Sequence, residues 1–159
     1  MAEQTVKCRI CKTEIDKDIA YKVGKNRYYC SEEEYLHRLE KKEKELLEAE
    51  EAKRKLNEIK DEIYNIICEI FGRKITNTSL FKELTELNET YTYDDIYLYI
   101  DDNFEILDKT MYEKDFDTEY LKIRYFFGII KNNIFDYLNI KKDEIEEKQY
   151  IKSIEYDIP

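Results

Sequence analysis

Proline and glycine are nearly missing, at one and three in 159 residues. An all-β fold full of tight turns needs many of both, so their scarcity argues against one. Tryptophan is absent, and His37 is the single histidine. The longest apolar stretch, "YFFGII" from Tyr125 to Ile130, is far too short to cross a bilayer. The opening "MAEQTVKC" has no apolar core of the kind a secretory signal carries. These features predict a cytoplasmic protein with reduced thiols, where clustered cysteines bind metal more often than they form disulfides. No P-loop, dinucleotide fingerprint, G-x-S-x-G elbow or internal repeat occurs, and no catalytic residue is nominated.

What is present is charge, tyrosine and isoleucine. Apolar residues make up 42%, enough for a modest core, while the charged fraction of 40% is far above the usual ~25%. Fifteen Tyr beside abundant Ile, Lys and Asn fit an A/T-rich coding genome, as in low-G+C bacteria and their phages. The net charge of −10 is unevenly spread. Residues 1–30 carry seven Lys/Arg against four Asp/Glu, whereas residues 73–159 carry twelve against twenty. A basic head and an acidic body suit different partners.

Three of the four cysteines and the histidine fall within residues 6–37. Cys8 and Cys11 form C-x2-C, a spacing that brings two thiolates to one ion from a tight knuckle. Cys30 ends "IAYKVGKNRYYC", whose alternation around Gly24-Lys25-Asn26 predicts a β-hairpin. Ser31 with Glu34 reads as a capping box, so Cys30 lies just before a helix. Knuckle, hairpin and a ligand at a helix start is the order of a treble-clef zinc module. A structural zinc takes four ligands, and Glu34 and His37 are the candidates for the fourth. Zinc's preference for nitrogen and sulfur favours His37, giving an expected set of Cys8, Cys11, Cys30 and His37. Cys68, alone in "NIICEI", reads as a small buried hydrophobe.

The stretch "GKNRYYCSEEEY" resembles the second half of the TRASH and MYM-type zinc fingers. Those modules pair C-x2-C with a later "YYCS" followed by another cysteine. The resemblance covers about residues 6–37 and carries ligand roles to Cys8, Cys11 and Cys30. The last cysteine of the pattern falls at Glu34. In those families the module serves protein contacts or metal sensing, and at times nucleic-acid binding, rather than catalysis.

From Ser31 to Phe71 no proline or glycine interrupts the chain, and Gly72 suits a C-cap. A long helix is expected, with a solvated first half and a second half that docks from Leu56. Lys42, Lys53 and Lys60 interrupt the seam of Leu39, Leu46, Ala49, Leu56 and Ile63, which disfavours a continuous coiled coil. Homodimerisation through this helix stays open. Three further helices are expected: "SLFKELTEL" after Thr78, "TYDDIYLYIDDNFEILD" from a Thr92/Asp95 capping box, and "DTEYLKIRYFFGIIKNNIFDYL" from Asp117 or Thr118. The tyrosines of "ETYTYDDIYLYI" are expected in or around the core.

The predicted fold is mainly α: a small treble-clef zinc module with one hairpin, a long helix, and a C-terminal helical bundle. The expected segments are 1–37, a charged spacer 38–60, a helical domain 61–140 and a tail 141–159. Asp94, Asp101, Glu105 and Asp108 share a helix face and form a candidate acidic ridge. The expected role is a non-enzymatic interaction protein with structural zinc, a phage or mobile-element accessory factor. Its ridge would dock on a protein partner such as a nucleic-acid enzyme with a basic cleft. The alternative is a nucleic-acid-binding regulator using Lys7, Arg9, Lys12, Lys22, Lys25 and Arg27.

Overall fold

Every helix in the body carries apolar residues three or four apart, and that spacing dictates how they pack. The computed structural model describes the backbone of residues 4–155 and side chains through residue 152. It divides into two compact units, one up to Arg54 and one from Lys55. The order is β1 (Thr5–Lys7), β2 (Glu14–Asp16), β3 (Tyr21–Lys22), β4 (Tyr28–Tyr29), α1 (Glu32–Phe71), α2 (Ser79–Asn88), α3 (Tyr93–Asp102), α4 (Phe104–Glu113) and α5 (Glu119–Glu155). The fold is therefore mainly α, as its composition implied. No helix among the described residues is long and apolar enough to cross a membrane.

The first unit contains two hairpins where the sequence suggested one. β1 and β2 pair antiparallel with Val6 opposite Ile15, and the C-x2-C knuckle is the connection between them. β3 and β4 pair with Tyr21 opposite Tyr29, turning through Gly24 at a φ of 69°. The first hairpin was hard to read because its strands are only three residues long and the knuckle occupies its turn. Tyr29 is buried and meets the Tyr35 ring at 4.9 Å, while Tyr21 meets it at 5.7 Å. This small aromatic group joins the second hairpin to the first turn of α1.

Along α1 the expected change of character is present, but docking begins near Ile59 rather than at Leu56, which is exposed. Leu39, Leu46, Leu47 and Leu56 are exposed, whereas Ile63, Ile67 and Ile70 are buried. Ion pairs Lys41–Glu45 (4.0 Å) and Lys44–Glu48 (3.8 Å) lie on its outer surface. Both place the cation N-terminal, the less favourable order. The helix ends in a Schellman motif: Gly72, at a φ of 68°, donates to the Glu69 carbonyl and Arg73 to the Cys68 carbonyl. Cys68 is only half-buried, at the margin of the core.

In the second unit the helices enclose one core. Leu80, Leu84 and Leu87 of α2, Ile96 and Ile100 of α3, Leu107 and Met111 of α4, and Ile123, Phe126, Phe127, Ile130 and Ile134 of α5 are all buried with the three isoleucines of α1. The edge-on pairs Phe71–Phe126 (5.5 Å) and Phe126–Phe127 (5.6 Å) fill its centre. Tyr99 is buried, and Tyr91, Tyr93 and Tyr97 pack at its border, as the tyrosine-rich stretch suggested.

Two expectations about helix extent are revised. The stretch 92–108 is two helices, because the chain breaks at Asn103 (φ −108°, ψ 14°). The Asn103 amide turns back to donate to the Tyr99 carbonyl at 2.8 Å, a local bond that competes with continued helix. The Thr92/Asp95 capping box is formed, with both reciprocal bonds at 3.2 Å. At α2, Asn77 rather than Thr78 supplies the cap, accepting from the Ser79 N–H at 2.9 Å. Residues 141–155, expected as a tail, continue α5 to Glu155; residues 156–159 lie outside the described residues.

Polar links secure the body. Asp102 on α3 accepts from the Tyr137 hydroxyl at 2.6 Å and pairs with Lys141 at 2.8 Å, both on α5. Lys141, and then Tyr137, hold this carboxyl below the usual carboxylate range. Glu83 on α2 pairs with Lys131 (2.7 Å) and Arg124 (3.9 Å) of α5.

Candidate metal centre

The knuckle forms because its backbone satisfies itself. Cys8 donates its N–H to the Thr13 carbonyl at 2.9 Å, and Lys12 donates to the Cys8 carbonyl at 3.1 Å. Closing so tight a loop forces Lys12 to a φ of 63°, a left-handed conformation that L-residues rarely adopt. The Ile10 N–H points at the Cys8 sulfur at 3.4 Å, so the loop already carries a donor toward one thiolate. Arg9 donates to the Tyr28 carbonyl at 3.0 Å and ties the knuckle to the second hairpin. That contact brings Cys30, one residue past β4, against Cys11.

The fourth residue of the cluster is Glu34. One ligand atom from each of Cys8, Cys11, Cys30 and Glu34 lies within 4.8 Å of all the others. Cys11 and Cys30 sulfurs are 3.3 Å apart, and the Cys8 thiol donates to Glu34 Oε2 at 3.4 Å. A tetrahedral zinc with Zn–S bonds near 2.3 Å separates its sulfurs by about 3.8 Å, so the cluster matches the size of one ion. Cys8 is buried, Glu34 half-buried, and Cys11 and Cys30 are exposed.

His37, favoured by the sequence, is not in this group. The reason lies at the start of α1. Ser31 Oγ accepts from the Glu34 N–H at 3.1 Å, and the Glu34 carboxylate turns back to accept from the Cys30 N–H at 3.0 Å. The expected capping box thus forms in modified shape, its return arm reaching Cys30 rather than Ser31. Helical side chains lean toward the N-terminus, which sends Glu34 to the thiols. His37 begins about 4.5 Å further along the axis at 1.5 Å per residue. It is exposed and lines an open cleft with Ile10, Glu34, Arg38, Lys41, Lys42 and Glu45. The signal that could have selected Glu34 is the position of the missing cysteine in the zinc-finger pattern.

The thiols do not behave as independent groups. Hydrogen bonds from the Thr13 hydroxyl and backbone N–H, then from Cys30 and Cys8, hold the Cys11 thiol down at about 7. Cys30, hydrogen-bonded to Cys11 and partly desolvated, is pushed up to about 12. One thiol therefore ionises near neutrality and its charge keeps a neighbour protonated. A divalent cation reverses this repulsion by replacing the shared protons. The chemistry of three sulfurs and one carboxylate suits a borderline-soft ion.

The other nominated residues are dispersed over exposed surface. Lys7, Arg9, Lys12, Lys22, Lys25 and Arg27 are all exposed on the first unit. Lys7 pairs with Glu14 at 3.8 Å, and Lys12 donates to the Arg9 carbonyl at 3.1 Å. Asp94 and Asp101 lie on α3, Glu105 and Asp108 on α4, and all four are exposed. The break at Asn103 divides this acidic set between two helices. Among the described residues, only the Cys8, Cys11, Cys30 and Glu34 group could hold a metal ion.

Compared with known proteins, residues 8–157 match the model of a family described as SPbeta prophage protein YorH. No curated protein and no solved structure matches the chain.

Proposed function

The chain belongs to the SPbeta prophage protein YorH family, and on that premise we propose a non-enzymatic phage accessory factor with a structural zinc in its head. The observation that carries this reading is the convergence of Cys8, Cys11, Cys30 and Glu34 ligand atoms within 4.8 Å. Three thiolates and a carboxylate fill all four positions that zinc takes in structural sites, leaving no open position for a substrate or activated water. The treble-clef resemblance to TRASH and MYM-type fingers points the same way, toward contacts with a protein. The partner is a host or defence-system protein, and the exposed carboxylates Asp94, Asp101, Glu105 and Asp108 suit a basic surface, such as the cleft of a nucleic-acid enzyme.

The test has two arms. Protein purified without chelator should hold about one zinc per chain, as four-ligand sites do. Captured from its native host, the partner should dissociate steeply with salt, because exposed charges are screened within ~8 Å at physiological ionic strength. Asp101→Lys with Glu105→Lys should remove most of the affinity while the helical signal stays. Absence of metal ends the zinc reading, and a salt-insensitive complex ends the charged-docking reading.

One observation favours a second reading. The six basic residues Lys7, Arg9, Lys12, Lys22, Lys25 and Arg27 are all exposed on the unit that holds the thiols, a footprint suited to phosphates. The net charge of −10 opposes it, since neutralising the backbone supplies most non-specific affinity. If nucleic acid is the partner, the protein itself shifts a duplex in a gel, and Lys22→Glu with Arg27→Glu abolishes the shift.

A further inference from the structure

The four members of the thiol cluster are not equivalent. Cys8 is 1% exposed and doubly engaged, its sulfur facing the Ile10 N–H at 3.4 Å and the Glu34 carboxylate at 3.4 Å. Cys11 and Cys30 are both exposed, and their sulfurs are each other's neighbours at 3.3 Å. They come from separate pieces of backbone, the knuckle and the residue after β4. A disulfide needs a sulfur–sulfur distance near 2.05 Å, so a closure of about 1.3 Å joins them.

From this asymmetry we propose that Cys11 and Cys30 form an oxidation site, a dithiol that a peroxide converts to an intramolecular disulfide and that expels the metal. This rests on the metal reading for its consequence but not for its chemistry. In the first step one thiolate attacks the peroxide, its sulfur taking one oxygen as a sulfenic acid while the other oxygen leaves as water. In the second, the neighbouring thiol attacks that sulfur, the S–S bond forms, and the sulfenic oxygen leaves as water. Two thiols lose two electrons and one peroxide becomes two waters. Cys8 and Glu34 alone then face the ion, and two ligands do not hold zinc as four do. A dithiol reductant restores both sulfurs and the site. Cys8 is spared because its burial keeps a peroxide away.

The experiment uses the full chain. Zinc-loaded protein is treated with stoichiometric hydrogen peroxide beside a zinc-responsive dye, then mapped under non-reducing conditions by mass spectrometry. The expected result is release of zinc together with a Cys11–Cys30 linkage, and recovery of zinc binding after dithiothreitol. Cys8→Ser should still form the linkage, whether or not it retains metal. Apo protein mapped in parallel keeps the two ideas separate. If the chain never binds zinc but Cys11 and Cys30 still link, the metal reading fails and the oxidation site stands. A map linking Cys8 to either partner, disulfides only between chains, or full retention of zinc by the linked protein would overturn the proposal.

Discussion

Lys12 holds a left-handed backbone at a φ of 63°, which costs an L-residue about 1–2 kcal/mol. The knuckle keeps it because the loop's hydrogen bonds and the position of Cys11 depend on that turn. Glu34 answers to two demands at once, accepting from the Cys30 N–H and facing the Cys8 thiol. Glu34→Gln retains an oxygen for the Cys30 N–H but removes the anionic ligand. Zinc affinity should fall at least about tenfold, or about 1.4 kcal/mol, and chelator should strip the metal faster. His37→Ala should leave zinc content unchanged, with stability within about 0.5 kcal/mol, as for other exposed positions. Competition with a chromogenic chelator measures both. The grouping of the three thiols was legible from the C-x2-C spacing, the hairpin and the helix cap, whereas the place of Glu34 in it was not. Ligand preference selected nitrogen over oxygen, but the direction in which α1 leaves Cys30 overrode it, and direction is a property of the folded helix start.

At the scale of elements, the punctuation marks carry the information. Gly72 ends α1 at a φ of 68°, and a Cβ built there meets nothing within 4 Å. Gly72→Ala should therefore cost only backbone strain, about 1–2 kcal/mol. That would appear as a lower urea midpoint with an unchanged slope. The Thr92/Asp95 box and this glycine were readable because each is a local arrangement of a few residues. Asn103 was not. Its interruption of residues 92–108 depends on one side-chain bond to Tyr99, while the apolar stripe of Ile96, Ile100 and Leu107 continues past it as if nothing had happened. The first hairpin was hidden for a related reason: three-residue strands are too short to display an alternation.

For the molecule as a whole, the proposed metal and the core would stabilise different units. Metal binding supplies folding free energy to small modules of this kind, whereas the body has a buried core of its own. Excess chelator should abolish the head's ordered tertiary signals and leave most of the helical circular dichroism. Ile67→Ala should do the reverse, costing about 2–5 kcal/mol in the body with zinc still bound. A body that melts on chelation would refute this division. The mainly helical class and the change of character along α1 were visible in composition and periodicity, because the second half carries a buried stripe and the first does not.

That contrast within α1 has a consequence in time rather than in space. Around Leu39, Leu46 and Leu47 the helix exposes its apolar side chains to water, so those turns are held by their own backbone bonds and surface ion pairs rather than by a buried stripe. Helical turns without tertiary cover open readily, and local opening is what amide hydrogens report. In deuterium exchange the amides of residues 38–54 should turn over well before those from Ile63 to Ile70, although all belong to one unbroken helix. The same turns, rather than a loop, are then where a protease would first find the chain open.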